Sequence, residues 1–207
     1  MIKAFLNSWA RWALLGVFLA SFTIGEPLEA QPRSELKGTV DEVITILNNP
    51  SLKGAGNDQA RRDLLRSAIG PRFDYREMAK RSLARHWRDL SDEEREEFVE
   101  VFADLLQQSY VSKIEAYTDQ EIIYPEERVD EDFAEVETKI VIGSEREIPI
   151  DYRLYETETG WRVYDVVIEG VSLINNYRSQ FNRIINQDSY DALLNRMHTK
   201  QEEEVAN

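Results

Sequence analysis

A chain of 207 residues, of which 42% are hydrophobic, is long enough to bury the core of one compact domain and short for two independent ones. Its formal net charge of −14 opposes non-specific binding to DNA or to anionic lipid surfaces, because the field of the whole molecule repels polyanions. We therefore expect neither a nucleic-acid-binding protein nor a nucleic-acid partner.

The N-terminal segment 1–30 differs in composition from the rest of the chain. Lys3 and Arg11 precede the apolar run WALLGVFLASFTI, and the segment GEPLEA follows it and ends at Ala30. The run is shorter than the roughly twenty residues that span a bilayer, so the segment is typical of a secretory signal peptide cleaved near Ala30. An uncleaved membrane anchor is the alternative. The chain has no cysteine for a disulfide or a lipid anchor, and we expect a soluble protein of the bacterial periplasm.

Helical periodicity extends over residues 35–117. Apolar residues recur at helical spacing from Glu35, and further helices are predicted over 58–69 and 75–85. The next helix begins after Ser91, which forms a capping-box pattern with Glu94. That helix carries one long apolar stripe that must be buried, formed by Phe98, Phe102, Leu105, Leu106, Tyr110 and Ile114.

From 120 to 169 the period of the apolar residues changes to two. The segments EIIYPEERV, DFAEVETKIVI, REIPIDYRLYE and GWRVYDVVIEG predict four strands of an antiparallel meander. A short loop between the second and third strands would pair Ile140 with Ile148 and Val136 with Tyr152. This register places apolar partners opposite each other on one face, whereas a slip by one residue would set them against charges.

The last strand is apolar on both faces. Simple alternation predicts Tyr164, Val166 and Ile168 on one face and Trp161, Val163 and Val167 on the other. Helices are predicted over 172–198, the first of them covering one face of this strand, and the polar segment 201–207 is predicted to be a disordered tail.

These elements predict a single α+β domain over 31–200. Its helical N-terminal half would pack on a curved four-stranded antiparallel sheet that is followed by a C-terminal helix. Such a cone-like fold has an apolar interior. The interior is either filled by side chains or forms a cavity that holds a ligand, and composition alone does not distinguish the two.

Two long segments resemble one known family. They are FDYREMAKRSLARHWRDLSDEEREEFVEVFADLLQQSYVSKIEAY and GWRVYDVVIEGVSLINNYRSQFNRII. Both are similar in order, spacing and residue type to the MlaC family, the periplasmic carriers also described as toluene-tolerance auxiliary proteins of an ABC transport system. Ala84 and Ser189 depart from the family, which often has glycine at these positions. The departures concern the local geometry of helix ends.

The resemblance implies a carrier that shuttles phospholipid between an inner-membrane MCE-protein and ABC complex and an outer-membrane lipoprotein complex, and so maintains outer-membrane lipid asymmetry. It implies no catalysis and no cofactor besides the phospholipid cargo, whose acyl chains are enclosed while the head group stays outside. Carrying two acyl chains uncovered would cost on the order of 20 kcal/mol. The candidate lipid-binding residues are Phe98, Phe102, Tyr110, Ile114, Val136, Ile140, Ile142, Ile148, Ile150, Tyr152, Leu154 and Val166. The alternative is that these residues only fill a core.

The segment 61–88 is basic although the chain as a whole is acidic. It holds nine Lys or Arg residues against Asp63, Asp74 and Glu77, a local charge of +6. This asymmetry favours docking to an acidic partner surface or contact with a lipid phosphate, while a solvated basic face is the plain alternative. The candidate contact residues are Arg76, Lys80, Arg81, Arg85 and Arg88.

Two other functional classes remain open at this stage. One is a periplasmic adaptor of an ABC transport system with a filled core. The other is a small-molecule isomerase on a cone fold, for which Asp165 with Tyr152 or Tyr164 would be the candidate pair. The two histidines are far apart in the sequence, and no metal site is predicted. The junction near 117–120, where the period changes, is a hypothetical gate for the cargo.

Overall fold

The computed structural model describes residues 31–54, 56–117, 120–143 and 146–205. The predicted signal peptide 1–30 lies outside the described residues. The helices are α1 (Pro32–Asn48), α2 (Asp58–Ile69), α3 (Tyr75–Leu83), α4 (Asp92–Glu115), α5 (Leu173–Gln187) and α6 (Tyr190–Val205). The strands are β1 (Glu121–Ile123), β2 (Glu127–Asp130), β3 (Phe133–Ile142), β4 (Arg146–Thr157), β5 (Gly160–Ile168) and β6 (Val171–Ser172). The predicted α+β class is confirmed.

Local sequence signals position the helix ends. Ser91 and Glu94 form the predicted capping box at the start of α4, each side chain bonding the backbone N–H of the other. Asp74 caps α3 by accepting a hydrogen bond from the Glu77 N–H at 2.8 Å. Helix α6 continues to Val205, into the segment predicted to be a disordered tail. The run KQEEE consists of good helix formers, which allows that continuation.

The sheet is antiparallel, in the order β1-β3-β4-β5-β6, and β2 also pairs with β3. The predicted register between β3 and β4 is confirmed, since Ile140 pairs with Ile148 and Val136 with Tyr152. The prediction of four strands was wrong in number. The first predicted strand divides into β1 and β2 around Pro125, because residues 124–126 lie opposite only two residues of β3 and proline has no N–H to donate.

A bulge in β5 changes the predicted faces of the last strand. Arg153 pairs with Asp165 and the next residue, Leu154, pairs with Val163, so Tyr164 is inserted as an additional residue. The insertion places Tyr164 and Asp165 together on the face of Arg153. Trp161, Val163, Val166 and Ile168 therefore share the opposite face, and the prediction that Tyr164 points with Val166 was wrong.

The buried apolar residues form two clusters. In the helical cluster, built by α3 to α6, Phe98 stacks on Phe102 with ring centroids 5.8 Å apart, and both rings meet Phe181 at steep angles. The sheet cluster holds Leu36 of α1 together with Ala134, Val136, Leu154, Trp161, Val163 and Val166. The helix that covers this apolar face of the sheet is therefore α1. The prediction that the stripe of Phe98 and Phe102 lies opposite the sheet was wrong, because the aromatic residues of α5 and α6 bury that stripe.

Candidate functional site

One face of the sheet, called here the inner face, is apolar except at the two ends of β4, and the opposite face is called the outer face. The inner face carries the even-numbered residues of β3 and β4, of which Arg146 and Glu156 at the ends of β4 are charged, together with Trp161, Val163, Val166 and Ile168 of β5. Of the predicted lipid-binding residues, Val136, Leu154 and Val166 are buried there. Ile140, Ile148, Ile150 and Tyr152 are half-buried, and Ile142 is 38% exposed. The inner face is thus closed at one end and open at the other.

Helix α1 closes the covered end. Leu36 is only 1% exposed and packs among the sheet residues, and Val40 contacts the same cluster one turn later. The Glu35 carboxylate accepts a hydrogen bond from the Trp161 N–H at 3.1 Å and also binds the Arg72 guanidinium. These polar contacts fasten the first turns of α1 to the edge of the sheet. Leu36 and Val40 were not among the predicted lining residues, because an amphipathic stripe does not indicate which surface it covers.

Two tyrosine hydroxyls lie among these apolar residues. Tyr124, at the bulge between β1 and β2, and Tyr152, in the middle of β4, both pack against the sheet cluster. Burial raises the pKa of Tyr152 to about 12. The pKa of Tyr124 is also raised, first by burial and then by the negative charges that Tyr152, Asp41 and Tyr117 would carry. Both side chains are therefore neutral donors at neutral pH. Tyr124 was not among the predicted lipid-binding residues, although its position before Pro125 indicates an interruption of the strand.

The remaining predicted lining residues belong to α4. Phe98 and Phe102 are 0% exposed in the helical cluster, as part of its packed interior. Tyr110 is half-buried at the rim of that cluster, and the Lys113 ammonium lies 4.6 Å from its ring centroid. Ile114 is half-buried one turn further on. The structure therefore packs Phe98 and Phe102 apart from the inner face, with Tyr110 against the same helical cluster.

Three of the predicted basic residues, Arg76, Lys80 and Arg81, lie on the other side of the sheet. The Arg81 guanidinium stacks 4.0 Å from the ring centroid of Tyr164, which belongs to the outer face. Arg76 and Lys80 line a cleft of about 350 Å³ with Asp74, Glu77, Trp87, Arg95 and Tyr155. This cleft is polar and rich in charge, unlike the inner face. These residues therefore do not face a lipid that is bound on the inner face.

The basic residues differ in how they are paired. Arg76 binds Glu96, while Lys80 and Arg81 both bind Glu77. Arg85 donates to the side-chain oxygens of Asn182 at 3.1 Å and Asn186 at 3.0 Å, and Arg88 is exposed. Among the described carboxylates, none forms an ion pair with Arg85 or Arg88. These two residues have the most accessible positive charge of the predicted set.

The geometry of Asp165 argues against the enzyme alternative. This carboxylate is 4% exposed and accepts hydrogen bonds from the Ser172 hydroxyl at 2.6 Å and from the Ile174 N–H at 3.0 Å. Its Oδ2 also pairs with Arg153 at 3.2 Å. Asp165 lies on the outer face and Tyr152 on the inner face, so these two do not share a pocket, while the other predicted partner, Tyr164, lies beside Asp165 and stacks against Arg81. The carboxylate fastens α5 to the sheet.

Two further features are absent from the described parts of the chain. No helix there has the length and apolar character that crossing a membrane requires. Within the same residues, His, Cys, Asp and Glu side chains form no group of three that could hold a metal ion.

Comparison with known proteins then identifies the family. A family model described as MlaC protein matches residues 37–199. The chain belongs to the MlaC family. A relative named the intermembrane phospholipid transport system binding protein MlaC, from Haemophilus influenzae, is 23% identical over 200 residues, 93% of this chain and 92% of the relative. The toluene tolerance protein ttg2D of Pseudomonas putida is 26% identical over 167 residues, 80% of this chain and 78% of that protein.

A solved structure is similar to this MlaC-family chain in fold. It is the phospholipid-binding protein from Ralstonia solanacearum in complex with a phospholipid. The two chains are 26% identical, and the TM-score is 0.77. The match covers 85% of this chain and 99% of the other.

Proposed function

We propose that this chain is a phospholipid carrier that holds acyl chains on the inner face of its sheet and performs no catalysis. The observation that carries the proposal is the apolar inner face, which α1 covers only in part, so that Ile140, Ile148 and Ile150 remain half-buried and Ile142 is exposed. An exposed apolar surface of this kind marks a binding site in a soluble domain. The phospholipid bound to the Ralstonia protein, which shares the fold, supports the same reading.

The inner face has the chemistry that acyl chains need. Each CH₂ group removed from water contributes about 0.8 kcal/mol, so a carrier needs a continuous surface without charges. The even-numbered positions of β3 and β4 from Val136 to Leu154 supply aliphatic side chains, one threonine, one tyrosine and, at the exposed start of β4, Arg146. Thr138 donates its hydroxyl to the Ile150 carbonyl at 2.6 Å, so its polar group is already bonded within the sheet.

The proposal extends to location and partners. The N-terminal segment 1–30 would be a signal peptide, and the mature chain would shuttle phospholipid through the periplasm without ATP. The names of the relatives, which refer to intermembrane phospholipid transport and to toluene tolerance, support this role. The donor and acceptor would be an inner-membrane MCE-protein and ABC complex and an outer-membrane lipoprotein complex.

We place the docking contact with a partner on two of the predicted basic residues. Arg85 and Arg88 both lie in the 3₁₀ segment Ala84–Asp89 and are exposed. Replacing both with Glu should weaken capture of the inner-membrane complex in a pull-down and leave bound phospholipid unchanged. Unchanged capture would contradict the docking role while leaving the carrier function intact.

A charged side chain on the inner face tests the carrier function itself. Ile148→Glu places a carboxylate where an acyl chain would lie, and its half-buried position lets the protein fold with the carboxylate near solvent. We expect about a tenfold or greater loss of phospholipid taken up from vesicles. Leu64→Glu is the matched control, because Leu64 is 44% exposed on α2. Normal uptake by folded Ile148→Glu would contradict the proposed binding face.

A further inference from the structure

The hydroxyl of Tyr124 is a buried donor without an acceptor. Its oxygen is inaccessible to solvent, and no group among the described residues forms a hydrogen bond with it. The side chain lies on the inner face beside the sheet cluster, where Val40 of α1 and Tyr152 of β4 also pack. Proteins leave few buried polar groups unbonded, and each exception needs an explanation, such as an ordered water or an atom of a bound ligand.

The surroundings of Tyr124 restrict what that partner can be. Asp41 of α1 is exposed and is already paired with Lys37 at 2.5 Å. An anion at the Tyr124 hydroxyl would be buried beside apolar side chains without a counter-charge, which is unfavourable. A neutral acceptor oxygen has no such penalty. The remaining neighbours in the cluster are hydrocarbon side chains and the second neutral donor, Tyr152.

We propose that Tyr124 donates a hydrogen bond to the ester carbonyl of a bound acyl lipid, with Tyr152 as a second hydroxyl donor on the same face. The inference rests on the proposed carrier function and adds to it a site that distinguishes an ester linkage between the acyl chain and glycerol from an ether linkage. An ester carbonyl is a neutral acceptor attached directly to an acyl chain. A chain lying along the inner face therefore brings this oxygen to the buried hydroxyl, and a lipid with ether linkages has no equivalent oxygen.

Competition between two lipids tests the site. The protein is incubated with vesicles that contain equal amounts of a diester phosphatidylglycerol and its diether counterpart, matched in head group and chain length. The bound lipids are then extracted and their ratio is measured by mass spectrometry. We expect the protein to enrich the diester roughly 3- to 10-fold, the range that one net hydrogen bond supplies. In Tyr124→Phe the ratio should fall towards one while the folded state is retained.

Tyr190→Phe is the matched control. Its hydroxyl donates to the Glu94 carbonyl at 3.2 Å in the helical cluster, away from the inner face, so its removal should leave the ratio unchanged. Comparing the variants with the unmodified protein also cancels any difference in how easily the two lipids leave the vesicle. A ratio near one in the unmodified protein, or an unchanged preference in Tyr124→Phe, would overturn the assignment while the carrier function stands.

Two further outcomes separate this inference from the function on which it rests. If Tyr124→Phe loses both lipids equally, the hydroxyl binds an oxygen that both share, such as a phosphate oxygen, and the ester assignment is overturned. If the unmodified protein takes up neither lipid, the carrier function fails and the ester site fails with it.

Discussion

Asp165 joins the two apolar clusters, and its replacement by Asn tests how the fold is held together. The carboxylate sits on β5 of the sheet and accepts hydrogen bonds from Ser172 and Ile174 at the start of α5, which packs in the helical cluster. It also pairs with Arg153 of the neighbouring strand. Asp165→Asn keeps the size of the side chain and one acceptor oxygen but removes the charge and the second acceptor.

The magnitude follows from the number and burial of these contacts. Hydrogen bonds to a charged group contribute about 1.5–3 kcal/mol each, and breaking a buried ion pair by removing one partner costs about 3–5 kcal/mol. The Arg153 side chain is 36% exposed and also pairs with Glu135 at 3.2 Å, so it keeps water and a second carboxylate. The retained amide oxygen preserves one contact. We therefore expect a loss of about 2–3 kcal/mol in the free energy of unfolding.

Thermal unfolding of the delipidated protein measures this loss. For a domain of this size, about 1 kcal/mol corresponds to a shift of roughly 2–4 °C, so the Tm of Asp165→Asn should fall by about 5–10 °C. Asp130→Asn is the control, because Asp130 is exposed on β2 and its replacement should change stability by less than about 0.5 kcal/mol. A Tm for Asp165→Asn within about 2 °C of the unmodified protein would refute the role assigned to this carboxylate.

Three other substitutions test local features. Gly160→Ala should destabilise by about 1–3 kcal/mol, since the backbone there has φ of 109° and the new Cβ would lie 2.7 Å from Oε2 of Glu35. Ala84→Gly should stabilise by about 1 kcal/mol, because Ala84 has φ of 50° at the end of α3. Asp151→Asn should stabilise by less than about 1 kcal/mol at pH 7, since Asp151 is paired directly with Glu137 across the sheet. Burial and that like charge raise the pKa of Asp151, so the gain should disappear as the pH falls through the raised pKa and the carboxyl becomes neutral. Chemical denaturation checks all three.

Matched variants make these tests specific. Gly170→Ala adds a Cβ at φ of 79° with no atom within 4 Å, so it carries the backbone strain of Gly160→Ala without the collision. Equal losses in the two variants would contradict the contact with Glu35. Ala103→Gly, in the middle of α4, should destabilise by about 1 kcal/mol, the opposite sign to Ala84→Gly. A gain from Asp151→Asn that persists in acid would rule out charge repulsion as its cause.

The sequence predicted well those parts of the fold in which only one arrangement keeps apolar side chains away from charged ones. Strands β3 and β4 have one apolar face and one charged face, so a single register keeps Ile140 opposite Ile148 and away from charges. Local chemistry alone marks some helix ends. Ser91 and Glu94 mark the start of α4, and Gly70 with Pro71 marks the end of α2. Residue type and spacing are sufficient in such places.

The remaining features depend on tertiary packing. Strand β5 is apolar on both sides, so an inserted residue at Tyr164 causes no visible break in its pattern. The stripe of Phe98 and Phe102 could have packed either on the sheet or on other helices. In the structure both rings contact Phe181 of α5. The burial of the Tyr124 hydroxyl could not be foreseen, because it results from a bulge and from the position of α1. The unusual backbone conformation of Ala84 was indicated only by the resemblance to the MlaC family, which often has glycine at this position.

The most direct test of the account is native mass spectrometry of the protein purified from bacteria without detergent, followed by organic extraction of anything bound. The account predicts a mass above that of the polypeptide, with the excess recovered in the extract as phospholipid. A bare polypeptide mass that persists after incubation with phospholipid vesicles would contradict it. The protein would then be an adaptor with a filled core.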